Sequence, residues 1–401
     1  MNILLSSYSF GAGRGSEAGV GWNVARGMAL RGHRVTVITT HEFSASNHAA
    51  IQKEGLNINL IEEDCGISVY PSSRSYRKWQ RRIGSTIRQV AADRNCDLIH
   101  HVTFNQYRDI HDVFATPLPY LIGPVGGAEL VPRPLLKYGN LPLLNRIKEW
   151  LRYSSLDAIP LTHRCCRHQA RGTLLASNAP TAERLHKLPV QTSICPAIAL
   201  HDSEIVEHLE SPGNHEPYIL FDGGLSRPQK GTWLALRALS RLWSQDCCVP
   251  IRMVGISPAD QEIIRNYVQQ VNLPEGAVQM EAQVSRATML RYMQEASIML
   301  SCVYRDSGSM ALLEALAQGC RIVCLDIPSQ AWLPPQFCRK VVIQDTSDAM
   351  ETAIAKALSC ELEAPQRTQQ WQAERVQWLR NHMTWETRIS NLESYYKQLI
   401  V

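Results

Sequence analysis

The sequence lacks any apolar run approaching the roughly 18 to 20 residues a bilayer-spanning helix needs, so no segment reads as transmembrane. Its opening, MNILLSSYSF, has neither a basic stretch nor a small-residue cleavage site, and a secretory leader is not expected. No CxxC pair occurs among the 12 cysteines, which are scattered and include the adjacent pairs Cys165/Cys166 and Cys247/Cys248. That excludes the usual spacing of zinc sites and redox loops and predicts reduced thiols in a cytoplasmic protein. An excess of charge of one sign is also missing. The 41 basic and 37 acidic residues leave a formal net charge of +4, which gives no reason to expect a nucleic-acid partner. There is no exact repeat and no low-complexity segment.

What is present is length and apolar content. A chain of 401 residues with 45% hydrophobic residues exceeds one ordinary core and suffices for two. The first 40 residues alternate as a βαβ unit does: strand Asn2 to Ser7, glycine turn Gly11 to Gly15, helix Glu17 to Leu30, stop at Gly32, strand Arg34 to Thr40. Strands at Ile58 to Ile61, Asp97 to Val102, Tyr120 to Gly123 and Thr173 to Ser177 continue the pattern. Between about Ala199 and Pro217 the periodicity lapses, as in a linker. A second series then begins with strand Tyr218 to Phe221, helix Gly231 to Leu242 and strand Ile251 to Gly255. Ser257 and Pro258 read as the cap and first residue of the next helix. Helix Ala287 to Ala296, strand Ile298 to Val303, helix Ser309 to Gln318 and strand Arg321 to Leu325 follow. The expected class is α/β, with two Rossmann-like parallel-sheet domains facing across a cleft. The division is 1–205 as a first domain, 206–217 as linker, 218–375 as a second domain, and 376–401 as C-terminal helices.

The most informative stretch runs Arg305-Asp306-Ser307-Gly308-Ser309-Met310-Ala311-Leu312-Leu313-Glu314-Ala315-Leu316-Ala317-Gln318-Gly319. A strand ends in an acidic residue, small residues let backbone approach a ligand, and a helix points its unpaired amides at that spot, as phosphate sites require. From spacing alone two readings stand. Asp306 and Glu314 either reach sugar and ribose hydroxyls, or serve as a cap and a solvated helix residue. The stretch resembles the E-x7-E segment of glycosyltransferase family 4, retaining enzymes of the GT-B fold that use nucleotide sugars. The resemblance implies that Asp306, in place of the first glutamate, contacts the donor sugar and that Glu314 contacts its ribose. Ser307, Gly308, Ser309, Met310 and Ala311 would then line the donor phosphates.

Phe221-Asp222-Gly223-Gly224-Leu225-Ser226-Arg227-Pro228-Gln229-Lys230-Gly231 is similar to the family's G-R-L…K-G turn, whose cations neutralise the diphosphate. Lys230 matches. Gly224 occupies the arginine position, and Arg227 stands three residues on. Gly13 and Gly15, in a glycine turn after the first strand, correspond to the family's loop reaching toward the donor phosphates. A dinucleotide site would want the full glycine fingerprint and an acid after the next strand, for which Glu42 is available. Similar enzymes carry an H-x-H histidine after the strand ending in Asp97-Leu98-Ile99-His100-His101-Val102-Thr103. Here His100 matches the first histidine, Val102 takes the place of the second, and His101 is the displaced candidate. Gly126, Gly127 and Glu129 either line the acceptor side or form a tight turn.

Two clusters carry weaker signals. His163-Arg164-Cys165-Cys166-Arg167-His168 has ligand-type residues at spacings that fit no metal motif, so no metal is expected. Arg74, Arg77, Lys78, Arg81 and Arg82, interleaved with Tyr76 and Trp79, form either a solvated helix face or, as in similar enzymes, a contact with anionic membrane at the inner face. The ending Met383-Thr384-Trp385-Glu386 with its helix to Leu399 resembles the family's C-terminal helix, which packs back on the first domain, and the resemblance further implies an acceptor-side role for 1–205 and nucleotide-sugar binding for 218–375.

Together these features imply a metal-independent hexosyltransferase acting on a hydroxyl acceptor, with no cofactor beyond the nucleotide sugar and a place in polysaccharide biosynthesis. Two rivals remain: a non-catalytic donor- or partner-binding protein, motivated by Gly224, Asp306 and Val102, and a sugar-nucleotide epimerase, which needs acid/base carboxylates.

Overall fold

The computed structural model describes residues 1–63, 72–155, 171–208, 216–365 and 367–400. The chain divides into two units, one of Met1–Glu129, Asp157–Ala199 and His382–Val401, the other of Leu130–Leu156 and Leu200–Asn381.

The first unit is built on strands β1 (Asn2–Ser7), β2 (Arg34–Thr39), β3 (Ile58–Glu62), β4 (Leu98–Thr103), β5 (Tyr120–Val125), β6 (Gly172–Ala176) and β7 (Gln191–Ile194). They pair in the order β3-β2-β1-β4-β5-β6-β7, every pair parallel. Ile3, Leu4 and Leu5 of β1 are fully buried, as expected of a strand covered by helices on both faces. Helices α1 (Ser16–Leu30), α2 (Ser44–Glu54) and α3 (Ser73–Asp93) connect the strands on the β1 side.

The second unit repeats the plan. Helices α4 (Arg133–Tyr138) and α5 (Leu143–Ser154) belong to it; α6 (Ala179–Leu185) lies in the first. Its strands β8 (Ile219–Asp222), β9 (Ile251–Val254), β10 (Val278–Glu281), β11 (Ile298–Ser301), β12 (Ile322–Leu325) and β13 (Arg339–Val341) run parallel in the order β10-β9-β8-β11-β12-β13. The helices are α7 (Thr232–Trp243), α8 (Pro258–Gln270), α9 (Arg286–Glu295), α10 (Met310–Ala317), α11 (Ser347–Leu362) and α12 (Gln369–His382). The Ser257 hydroxyl accepts from the Asp260 amide at 3.2 Å, so the cap expected before Pro258 is present.

Two boundaries differ from those expected from sequence. Residues 130–155 pack with the second unit because Val131, Leu135 and Leu141 sit in its core with Phe221, Leu234 and Tyr304. The Tyr304 hydroxyl fixes the segment by donating to the Gly139 carbonyl at 3.0 Å. The return to the first unit starts at His382 rather than at 376. Arg375 in α12 is fully buried and donates at 2.8 Å to the carbonyls of Leu316 and Ala317, which holds α12 to the end of α10. The last helix, α13 (Trp385–Ile400), belongs to the first unit, where Arg388 donates to the Ile198 carbonyl at 3.1 Å and Leu392 and Tyr396 join the core. Three further strands, β7, β10 and β13, lie outside those expected from sequence, and each is outermost in its sheet.

Candidate functional site

In each sheet the chain starts in the middle, adds strands to one side, then crosses to the other. The loops that diverge at this reversal leave a crevice at the carboxyl ends of the two central strands. In the second unit those strands are β8 and β11. They end in the two segments singled out by sequence, 222–231 and 302–309.

Backbone geometry draws these segments together. Gly231 has φ of 75°, and a Cβ there would lie 2.3 Å from the Cys302 carbonyl oxygen, so only glycine lets the turn close on the neighbouring strand end. The Tyr304 amide donates to the Gln229 carbonyl at 2.8 Å. Lys230, at the end of the short turn Pro228–Lys230, reaches back to Asp222 with Nζ 2.7 Å from Oδ2. Its side chain is mostly buried and Asp222 is one third exposed. Gly224 is buried against the chain at Gly255, whose carbonyl oxygen would stand 3.0 Å from an added Cβ. A larger side chain at that position would have to displace backbone. Arg227 is exposed on the same turn.

On the β11 side, Asp306 folds its carboxylate onto its own loop. Oδ1 accepts from the amides of Ser307 at 2.8 Å and Gly308 at 3.4 Å. The helix cap is Ser309, which accepts from the Leu312 amide. The first-turn amides of Met310 and Ala311 lack intrahelical acceptors by the geometry of any α-helix, and the positive end of the helix dipole lies there. Glu314 is not a solvated helix residue: its side chain is 13% exposed and Oε1 accepts from Arg286 Nε at 2.8 Å and Nη2 at 2.7 Å. Burial raises its pKa, and Arg286 opposes the shift. Arg286 also pairs with Glu204 at 2.6 Å. It is the residue that motif reasoning missed; its position at the start of α9, after β10, was the available signal.

The corresponding point of the first unit lies between β1 and β4. Alternation sends His100 and His101 to opposite faces, and both are fully buried. The His100 Nε2–H donates to the Gly123 carbonyl at 2.6 Å, and Nδ1 accepts from the Tyr396 hydroxyl at 2.5 Å. Burial lowers the pKa of His100 to about 3, so the ring is neutral. His101 places Nδ1 2.9 Å from Asp112 Oδ1 and Nε2 2.7 Å from the Tyr76 hydroxyl. Ser6 donates to the same carboxylate, and the Tyr76 hydroxyl donates to the Thr103 carbonyl at 2.5 Å. Burial alone would raise the pKa of Asp112, but His101 and Ser6 hold it below the usual range. Both histidines thus have both ring nitrogens engaged inside the unit.

Glu129 is similar. It is buried, Oε2 accepts from the Gly127 amide at 2.9 Å, and Oε1 accepts from Asn178 at 2.5 Å and Thr181 at 3.2 Å. The carboxylate thereby shapes the turn that contains Gly126 and Gly127. Gly13 and Gly15 are exposed in the loop before α1. Glu17, in the first turn of that helix, accepts from the Asn105 amide at 3.0 Å, and burial pushes its pKa up to about 7.

The aromatics of the basic stretch point inward. Tyr76 and Trp79 are core residues, while Arg74, Lys78, Arg81 and Arg82 are exposed and Arg77 is partly exposed. The cluster 163–168 lies outside the described residues. Among the described residues no three His, Cys, Asp or Glu side chains come together as a metal-binding group, and no helix is long and apolar enough to cross a membrane.

Comparison with known proteins gives a family match over part of the chain. Residues 216–360 match the family model described as Glycosyl transferases group 1. A search among curated proteins by sequence gives no match. Among solved structures, a glycosyltransferase from Rickettsia africae ESF-5 is similar with a TM-score of 0.67 at 14% identity, covering 100% of this chain and 98% of that one. Sucrose-phosphate synthase from Thermosynechococcus elongatus is similar with a TM-score of 0.64 at 16% identity, over 99% and 98%. Anabaena Alr3699/HepE in complex with UDP and glucose is similar with a TM-score of 0.59 at 12% identity, over 98% of each chain. The fold is that of GT-B glycosyltransferases, with two Rossmann-like parallel-sheet domains of seven and six strands.

Proposed function

We propose that the protein transfers a hexose-type sugar from a nucleoside diphosphate sugar to a hydroxyl acceptor with retention of anomeric configuration. The observation that carries this reading is the gathering of Lys230, the Asp306 loop, the start of α10 and Glu314 at the carboxyl ends of β8 and β11. Complexes of similar fold that contain UDP with glucose, or UDP-2-fluoro glucose, support the donor class.

In this reading Lys230 exchanges part of its interaction with Asp222 for the diphosphate. The amides at the start of α10 bind the same group, and Arg227 adds charge from the turn. These fixed positive groups act where negative charge grows as the glycosidic bond breaks, so no metal is assigned to the step. Asp306 presents its loop to the sugar hydroxyls. Glu314, held by Arg286, accepts from the ribose hydroxyls. The acceptor hydroxyl attacks from the face the diphosphate leaves, and the departing phosphate takes its proton. His100 and His101 have no nitrogen left for a substrate and act as positioning residues for the end of β4.

One observation favours a second reading. An epimerase needs an acid/base group tuned near neutrality, and Glu17 has a pKa of about 7. Product analysis after incubation with UDP-, GDP-, ADP- and dTDP-hexoses separates the alternatives. Transfer to an added hydroxyl acceptor supports the proposal. Conversion of one nucleotide sugar into its epimer, or intact donors throughout, would overturn it.

A further inference from the structure

Helix α5 is amphipathic in the inverted sense. Glu149 is its buried residue, whereas Leu143 and Leu144 are each 70% exposed, Trp150 63%, Leu151 51% and Ile147 44%. These are five of the nine exposed large hydrophobic side chains among the described residues, so the apolar surface is concentrated on one helix rather than scattered. At about 100° per residue, the five span an arc of roughly 120°, and Arg146 and Lys148 stand about 40° beyond its two edges. Both basic residues are exposed.

The other face anchors the helix. Glu149 Oε1 lies 3.2 Å from Arg305 Nε, Oε2 accepts from the Val131 amide at 3.4 Å, and the Tyr153 hydroxyl donates to the Val131 carbonyl at 2.7 Å. The single acid of α5 is thus turned inward and paired, and what the helix presents outward is apolar with a basic rim.

We propose that this face docks the protein on a bilayer surface containing anionic lipid. An apolar stripe with a tryptophan, flanked on both sides by cations long enough to reach headgroups, matches a membrane interface in shape and in charge. A second copy of the chain would bring like charges together along both rims, which disfavours self-association through α5. Helix α3, the element that sequence suggested for this role, buries its aromatics and retains only its charges. The docking face also connects to the donor side of its own unit, because Arg305, the partner of Glu149, directly precedes Asp306. The inference stands on exposure and charge and does not depend on the transfer reaction.

The test is sedimentation of the full chain with phosphatidylcholine vesicles, with and without phosphatidylglycerol, at low and high salt. The wild type is expected to bind the anionic vesicles, more weakly at high salt. Leu144→Ser, Ile147→Ser and Trp150→Ser combined should weaken binding at least tenfold. Arg146→Gln and Lys148→Gln should each weaken it roughly fivefold. These residues are exposed, so the thermal midpoint should stay that of the wild type; Trp150→Ser alone replaces any variant that fails this control. Absence of wild-type binding at low salt, or equal binding by the serine variant, would overturn the proposal. So would a wild-type dimer that the serine variant abolishes while neither protein binds vesicles.

Discussion

The two sheets share one strand order around their centres, yet the polar residues at the two points of reversal differ in state. In the first unit Ser6, His100, His101 and Asp112 are fully or almost fully buried and bonded to one another or to their own unit. In the second unit Asp222, Lys230, Arg286 and Glu314 keep contact with solvent and are held by ion pairs. A polar group sealed on every side can position a strand end but has no bond to offer a ligand. A half-exposed ion pair can exchange a partner for one, because much of the desolvation cost has not been incurred. The same topology thus seals its polar groups in one unit and leaves them open to an exchange of partners in the other.

The comparison is broken most forcefully at Asp112. If the first network is structural, Asp112→Ala leaves His101 buried without its partner and should cost about 3 to 5 kcal/mol of stability, read as a lower midpoint in urea. A near-wild-type midpoint would mean the network is not structural. Lys230→Ala should do the opposite, leaving the midpoint nearly unchanged while turnover falls by roughly two orders of magnitude, the cost of losing one stabiliser of developing charge. Glu314→Gln should act on donor binding, weakening it by about 1.5 to 3 kcal/mol with a smaller change in turnover, because ribose hydroxyls change little during the reaction.

A pH experiment sharpens the contrast inside the first unit. Glu17 keeps a proton in the folded state up to about pH 7 that the unfolded chain releases near 4.5, so its contribution to stability is lost as pH rises through that window. His100 behaves in the opposite sense: its pKa of about 3 lies below the ordinary 6.5, so its contribution is lost as pH falls from 6.5 toward 3. Relative to wild type, Glu17→Gln should therefore gain on the order of 2 kcal/mol between pH 5 and 7 in urea unfolding, and a constant difference would contradict the assignment. The smallest effect is expected from chelation. Turnover in excess EDTA should match the untreated enzyme, and loss restored by magnesium would show that the positive groups of the second unit do not suffice.

Sequence made the central strands and the segments at the ends of β8 and β11 legible, because buried parallel strands are continuous apolar runs and these loops carry glycine and serine at strand ends. The outermost strands β7, β10 and β13 were not legible, since an edge strand such as Gln191–Ile194 has no such run. Partnership was the other blind spot. The motif containing Glu314 could be read, but Arg286 lies 28 residues earlier and meets it only through the fold. Periodicity located the amphipathic stretch at Arg74 to Arg82 but could not say which face the protein would cover. In α3 it covers the aromatics, whereas in α5 the apolar residues are left outside.

The central claim is that the ends of β8 and β11 hold a nucleoside diphosphate. Calorimetric titration of wild type, Lys230→Ala and Glu314→Gln with UDP, GDP, ADP and dTDP tests it most directly. The account predicts that at least one of these nucleotides binds the wild type and that each substitution weakens it by roughly tenfold or more. Failure of all four to bind the wild type at millimolar concentration, or unchanged affinity in both variants, would contradict it.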